Sequence, residues 1–114
     1  MQYDAAHALA REIRASEEYK TYHELREQAM ADETQAALIR EYRKLSVTLQ
    51  MASISGSRPD AEDMQRFQGI SALLFANPVV QQYLLAEMRM QQAMGDIFKI
   101  ITEAADLDMN LPGM

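Results

Sequence analysis

The chain has 114 residues, of which 48% are hydrophobic and 25% are charged, the composition of an ordinary folded domain. This length predicts one domain over residues 1–114. The formal net charge of -6 disfavours direct binding of nucleic acid, because that affinity comes largely from lysine and arginine neutralising phosphates. The C-terminal half, residues 60–114, carries 3 basic and 8 acidic residues. An acidic surface favours basic partner surfaces and disfavours anionic membranes.

The chain contains no cysteine, which excludes disulfides, thiolate metal sites and a cysteine nucleophile. Its first residues lack the charged and apolar regions of a signal peptide. No stretch approaches the roughly 20 consecutive apolar residues that a membrane-spanning helix needs. We therefore expect a cytoplasmic protein without membrane insertion.

The first two predicted elements are short amphipathic helices. In residues 3–15, apolar side chains recur at spacings of three and four, as on one face of a helix. Ser16 is followed by Glu17 and Glu18, which predicts an N-cap and acidic residues at the positive end of a helix dipole. A second helix is therefore predicted over residues 17–30.

The third predicted helix is longer and carries a heptad pattern. Asp32, with Gln35 three residues later, resembles a capping box at its start. The loop Ser-Gly-Ser-Arg-Pro at residues 55–59 marks its end. Apolar residues inside the helix recur at spacings of four, three and four, which predicts packing along a partner helix. This first seam consists of Leu38, Tyr42, Leu45 and Leu49.

A fourth helix is predicted to begin after Asp60, which would serve as its N-cap. Gly69 lies inside this helix, weakens it by about 1 kcal/mol relative to alanine, and would permit a close helix crossing. The residues predicted to be buried are Met64, Phe67, Leu74 and Phe75.

Asn77-Pro78 predicts the N-cap and first residue of a last helix, from 78 to about 106. Such a helix is roughly 40 Å long, whereas a compact domain of this size is about 30 Å wide. Part of it is therefore expected to pack on another chain. Its heptad-like second seam consists of Tyr83, Met90, Met94, Ile97 and Ile101.

These elements predict an all-α fold: a bundle of about five helices with two long antiparallel helices, expected to form a dimer. Residues 109–114 are predicted to be a flexible tail. The two seams are the predicted interface residues.

The residues that could carry chemistry form no complete site in the sequence. His23 and Glu27 have an i, i+4 spacing that metals can use, but no third ligand is visible. Residues 106–110, Asp-x-Asp-x-Asn, match the first ligands of a calcium loop, yet Leu111 occupies the position of the required glycine. No catalytic motif is present. We therefore predict no catalytic, metal or cofactor site.

Two further features admit a structural and a functional interpretation. Arg40, Arg43 and Lys44 form the densest basic cluster, and such clusters are usually a solvated helix face and less often an anion contact. The 9 methionines fill gaps at a helix seam or form an adaptable binding surface. These two interpretations of the methionines merge if the seam is a dimer interface.

Five segments together suggest a family: residues 3–10 (YDAAHALA), 16–20 (SEEYK), 41–44 (EYRK), 77–78 (NP) and 100–108 (IITEAADLD). In this order and spacing the chain resembles the YlbF/YmcA family of small helical bacterial proteins, especially its YheA-like UPF0342 branch. The resemblance implies an all-α, frequently dimeric protein of the bacterial cytoplasm.

The better-known members of this family are non-catalytic regulators of competence, biofilm formation and sporulation. These members assemble with other proteins and influence RNA processing by a membrane-associated ribonuclease. The resemblance implies a similar role for this chain. Regulatory members have been linked to iron–sulfur clusters, whose usual ligands are cysteine thiolates. Because this chain has no cysteine, we do not extend that cofactor to it.

The sequence thus predicts a non-enzymatic interaction protein, a homodimer whose other partners are regulatory proteins of a ribonuclease-associated complex. The alternative is a carrier of a small ligand or metal, with a pocket between helices near Tyr19, Tyr22 and His23.

Overall fold

The computed structural model describes residues 1–106, and this range contains five α-helices and no strand. The all-α prediction is confirmed. The tail predicted at residues 109–114 lies outside the described residues. The helices are α1 (Asp4–Ala15), α2 (Glu17–Ala29), α3 (Glu33–Ile54), α4 (Ala61–Phe75) and α5 (Pro78–Ala105).

Short polar side chains begin α2 and α3 as predicted. The Ser16 hydroxyl accepts from the backbone N–H of Tyr19 at 3.2 Å and donates to the carbonyl of Ile13 at 2.6 Å. Ser16 therefore caps the end of α1 and the start of α2 with one side chain. The Asp32 carboxylate accepts from the N–H of Thr34 at 3.0 Å and caps α3.

The predicted N-caps of α4 and α5 are also confirmed. The Asp60 carboxylate accepts from the N–H of Glu62 at 2.8 Å. The Asn77 side-chain oxygen accepts from the N–H of Val79 at 2.9 Å, and Pro78 follows it as the first residue of α5. Proline suits that position because its missing N–H would have no partner inside the helix.

Gln35 departs from the predicted capping box. Its side-chain amide donates to the backbone carbonyl of Ala29 at 2.6 Å, and its oxygen accepts from the side-chain amide of Asn77 at 2.7 Å. Gln35 therefore links the end of α2 to the residue that caps α5. The prediction used only local spacing, whereas these two bonds join residues 6 and 42 positions apart.

Gly56 ends α3 in a Schellman motif. Its φ of 76° lies in the left-handed region, which glycine adopts without a steric penalty. The N–H of Ser57 donates to the carbonyl of Ala52 at 2.9 Å, and that of Gly56 to the carbonyl of Ser53 at 3.3 Å. These two bonds satisfy carbonyls that the helix end would leave unpaired.

The described chain divides into two compact units. The terminal unit comprises Met1–His23 and Leu84–Met114, of which the structure describes residues up to 106. The central unit comprises Glu24–Tyr83. The predicted single domain over residues 1–114 stays a prediction.

In the central unit, α3 packs along α4 through aromatic contacts. The Tyr42 ring stacks on Phe67 with centroids 5.2 Å apart and meets the Phe75 edge at 6.1 Å. Glu41 and Arg66 form an ion pair between the same two helices. The largest fully buried side chains in the described part of the chain also belong to this unit: Ile39, Leu74 and Val80.

Two expectations for α4 are wrong. Met64 and Phe75 were predicted to be buried, but they are 43% and 41% exposed, because α3 covers only one side of α4. Gly69 permits a close helix crossing, but the described residues form none there, since a Cβ atom at Gly69 would meet no atom of another element within 4 Å.

The open space around Gly69 makes Gly69→Ala a stabilising change. We expect the free energy of unfolding to rise by about 0.5–1 kcal/mol, because alanine loses less backbone entropy in a helix and meets no neighbour. Urea denaturation followed by circular dichroism measures this difference.

Gly56→Ala is the matched control, because the same added methyl group then lies at a left-handed φ. The unfolding free energy should fall by about 1–2 kcal/mol, although open space also surrounds this residue. Equal effects of the two substitutions would contradict the assigned backbone conformations.

Candidate protein-interaction surfaces

The first seam already has a packing partner within the chain. Leu45 is 4% exposed, and Tyr42 contacts Phe67 and Phe75 of α4. Leu38 and Leu49 are half-buried. The heptad pattern thus marks the side of α3 that packs within the central unit, and a direct role of these four residues in a dimer stays a prediction.

The second seam is divided between the two units. Tyr83 belongs to the central unit, where it is 2% exposed. Its hydroxyl accepts from the Arg43 guanidinium at 2.8 Å, and that guanidinium lies 5.7 Å from the centre of its ring. Arg43 therefore stabilises the packing of Tyr83 through a charged hydrogen bond and a cation–π contact.

The other members of the second seam belong to the terminal unit. Met90 and Ile97 are half-buried, whereas Met94 and Ile101 are 44% and 52% exposed. This stretch of α5 therefore keeps apolar surface in contact with water. Its role as a dimer interface stays a prediction.

A groove of about 280 Å³ runs along this stretch. The side chains that line it come from α1, the start of α2 and α5, and most of them are apolar. The two charged residues in its lining, Glu12 and Glu18, are both acidic and both exposed. Its apolar lining residues are Leu9, Ile13, Met90, Ala93, Met94 and Ile97.

A smaller cavity of about 190 Å³ adjoins the groove and shares Glu18 with it. Glu17, Thr21, Ala86 and Arg89 complete its lining. The carboxylates on this side of the terminal unit thus extend beyond the groove.

A second exposed surface, not predicted from the sequence, follows α3. Val47, Met51 and Ile54 are 58%, 62% and 82% exposed. Arg40 and Lys44, also exposed, precede them on the same face, since all five residues fall within a sector of about 80°. We call these five residues the outer stripe.

The outer stripe lies on the other side of α3 from the first seam. Met51 is about 200° around the helix from Leu49. The signal was present in the sequence, because Val47, Met51 and Ile54 have heptad-like spacings of four and three. The same helix carries two such patterns, and spacing alone does not show which one the chain buries.

Among residues 1–106, no three His, Cys, Asp or Glu side chains are grouped so that they could hold a metal ion. The His23 ring stacks on Tyr19 with centroids 5.6 Å apart. The calcium-like segment, after Asp106, lies outside the described residues. In the described part of the chain, no single helix is long and apolar enough to cross a membrane, and α4 with α5 meets those criteria only as a bent pair.

Within residues 1–106, five helices with an apolar groove and an apolar stripe left exposed define a small all-α protein with exposed apolar helical surfaces. The chain belongs to the YlbF/YmcA family, whose model, described as control of competence regulator ComK, matches residues 2–105. The family resemblance drawn from the sequence is confirmed, and membership supports a regulatory role.

Its relatives include UPF0342 proteins. The one from Halothermothrix orenii is 36% identical over 99 residues, 87% of this chain and 84% of the relative. The one from Symbiobacterium thermophilum is 31% identical over 107 residues, 94% of this chain and 96% of the relative. These matches confirm the UPF0342 branch.

A solved structure has the same fold. It is a protein of unknown function (DUF964) from Bacillus stearothermophilus, with a TM-score of 0.65 and 22% sequence identity. The match covers 90% of this chain and 94% of that one.

Proposed function

We propose that this protein is a non-enzymatic cytoplasmic regulator that acts by binding proteins, itself included, through exposed apolar helical faces. The observation that carries the proposal is the outer stripe, whose Val47, Met51 and Ile54 are all more than half exposed. Contiguous apolar surface on a small folded protein commonly marks an interaction site.

The energetic argument follows from the size of these side chains. Burying a Val, Ile or Met side chain contributes about 1.5–3 kcal/mol. Covering the three apolar members of the stripe therefore provides several kcal/mol before the entropic costs of association are subtracted. A second apolar surface, the groove, adds to this driving force.

The geometry of the groove supports a protein ligand over a substrate or carried molecule. Its volume of about 280 Å³ is slightly below the roughly 300–1,000 Å³ of typical small-molecule pockets. Its charged lining residues, Glu12 and Glu18, are both exposed to solvent, and the hydroxyl in its described lining belongs to Ser16. That hydroxyl caps two helices.

The family description supplies the regulated process. We propose that this protein takes part in the control of the competence regulator ComK, or of the related biofilm and sporulation programmes that the resemblance implies. The partners we propose, beyond a second copy, are other regulatory proteins of a ribonuclease-associated complex.

Complementation tests the regulatory role. The chain is expressed in a Bacillus strain whose own YlbF/YmcA-family genes are deleted, and ComK abundance and transformation frequency are measured. We expect the native protein to restore both in proportion to its amount, until its partners are saturated. Met51→Asp should fail to restore them, because a carboxylate in an apolar contact is costly.

Gln50→Asp is the control, because Gln50 is exposed on α3 outside the stripe. It should restore competence like the native chain. If the native chain leaves ComK at the level of the deletion strain, the assigned process is wrong. If Met51→Asp restores as well as Gln50→Asp, this helical face is not how the protein acts.

A further inference from the structure

We propose that in a homodimer the outer stripe of α3 in each copy docks into the groove of the terminal unit of the other copy. This inference rests on the homodimer in the proposed function and names the surfaces that form it. Both surfaces are exposed in the single chain, so each is available to a second molecule.

The two surfaces match in length and spacing. The apolar part of the stripe is Val47, Met51 and Ile54, with spacings of four and three. On α5 the groove is lined by Met90, Met94 and Ile97, with the same spacings. Each set covers two helical turns, about 10 Å, which is the repeat at which one helix packs along another.

Two helices line the groove side by side. Leu9 and Ile13 of α1 line it at an i, i+4 spacing, beside the residues from α5. A docked α3 would therefore contact α1 and α5 at once.

The charges of the two surfaces indicate how the stripe is oriented in the groove and that a second copy supplies it. The charged residues in the groove lining are Glu12 and Glu18, whereas those of the stripe are Arg40 and Lys44. Opposite charges on two apolar surfaces steer their encounter and fix their register. Because one chain carries both halves, a second copy supplies the complementary surface.

A closed dimer requires that a two-fold axis relate the two copies. A two-fold axis gives each copy one stripe and one groove, so that two equivalent contacts form and no unpaired surface remains to extend a chain of molecules. The groove of the other copy then covers the apolar residues of α3 that the central unit leaves exposed.

Mixing variants tests this pairing. Met51→Asp disables the stripe and Met94→Asp disables the groove, and circular dichroism checks that both keep native helicity. By light scattering we expect twice the 13.0 kDa chain mass for the native protein and the monomer mass for each variant alone. An equimolar mixture of the two should recover dimers, because each heterodimer keeps one intact contact between a stripe and a groove.

Other arrangements give different results. If stripe packs on stripe, Met94→Asp alone stays dimeric, and mixing adds no dimers of the Met51→Asp variant. If groove packs on groove, Met51→Asp alone stays dimeric, and mixing adds no dimers of the Met94→Asp variant. A foreign helix in the groove would leave both variants with the native mass. Each of these outcomes overturns the inference but leaves the regulatory role to the complementation result. A monomeric native protein overturns both the inference and the homodimer.

Charge reversal provides a second test with exposed residues, which tolerate substitution. Lys44→Glu and Glu18→Lys should each raise the dimer dissociation constant roughly fivefold at low salt. The double variant Lys44→Glu with Glu18→Lys should recover affinity, because it restores opposite charges. Effects that simply add in the double variant would mean that Lys44 and Glu18 do not face each other, and would contradict the proposed charge complementarity.

Discussion

Leu45→Asp should unfold the central unit, with loss of most of its helical circular dichroism signal at 25 °C. Leu45 is 4% exposed on the side of α3 that packs within this unit. The substitution removes about 2 kcal/mol of apolar burial and places an unpaired carboxylate where water is excluded. The total loss, about 5 kcal/mol, is comparable with the whole stability of a small domain.

Gln50→Asp introduces the same side chain on the same helix at an exposed position. We expect its unfolding free energy to lie within about 0.5 kcal/mol of the native value. If Leu45→Asp retains native helicity and a native melting curve, the side of α3 assigned to the core is wrong.

Ile39→Ala should lower the free energy of unfolding by about 2–5 kcal/mol. Ile39 is fully buried in the central unit, so the substitution loses the transfer energy of the removed atoms and leaves a cavity. Denaturation in urea, at one fixed protein concentration, measures the change.

Ile100→Ala makes the same truncation where the side chain is 66% exposed. Its effect should stay below about 0.5 kcal/mol, because little apolar surface is removed from the interior. Similar losses for the two isoleucine variants would contradict the difference in burial between these positions.

Local chemistry made the helix boundaries predictable. Ser16, Asp32, Asp60 and Asn77 were assigned as N-caps from the sequence, and each accepts a backbone N–H at the start of its helix. A cap depends on residues two or three positions away, so its signal is contained in a short window of sequence.

Long-range contacts were not predictable in this way. Gln35 was assigned to a capping box, yet its side chain bonds to Ala29 and Asn77. Arg43 was placed in a solvated basic cluster, yet it bonds to the hydroxyl of Tyr83, 40 residues away. In both cases the side chain forms its hydrogen bond with a residue from a different part of the chain, and local spacing contains no signal for that contact.

The sequence predicted one of the two candidate surfaces in part and missed the other. The sequence predicted apolar seams on the third and last helices, and three members of the second seam, Met90, Met94 and Ile97, line the groove. It did not single out Val47, Met51 and Ile54, because α3 carries apolar residues on two sides. The contacts of α3 with other helices, chiefly α4, decide which side is covered.

By itself, the sequence determined the all-α class, the helix order, the caps and the family, because helical periodicity, capping chemistry and motif order are recorded in neighbouring residues. The tertiary structure alone decided which apolar face each helix buries and where a groove remains. The buried face depends on which helices contact each other in the folded chain. When a helix has apolar residues on two sides, its sequence pattern is compatible with burial of either side.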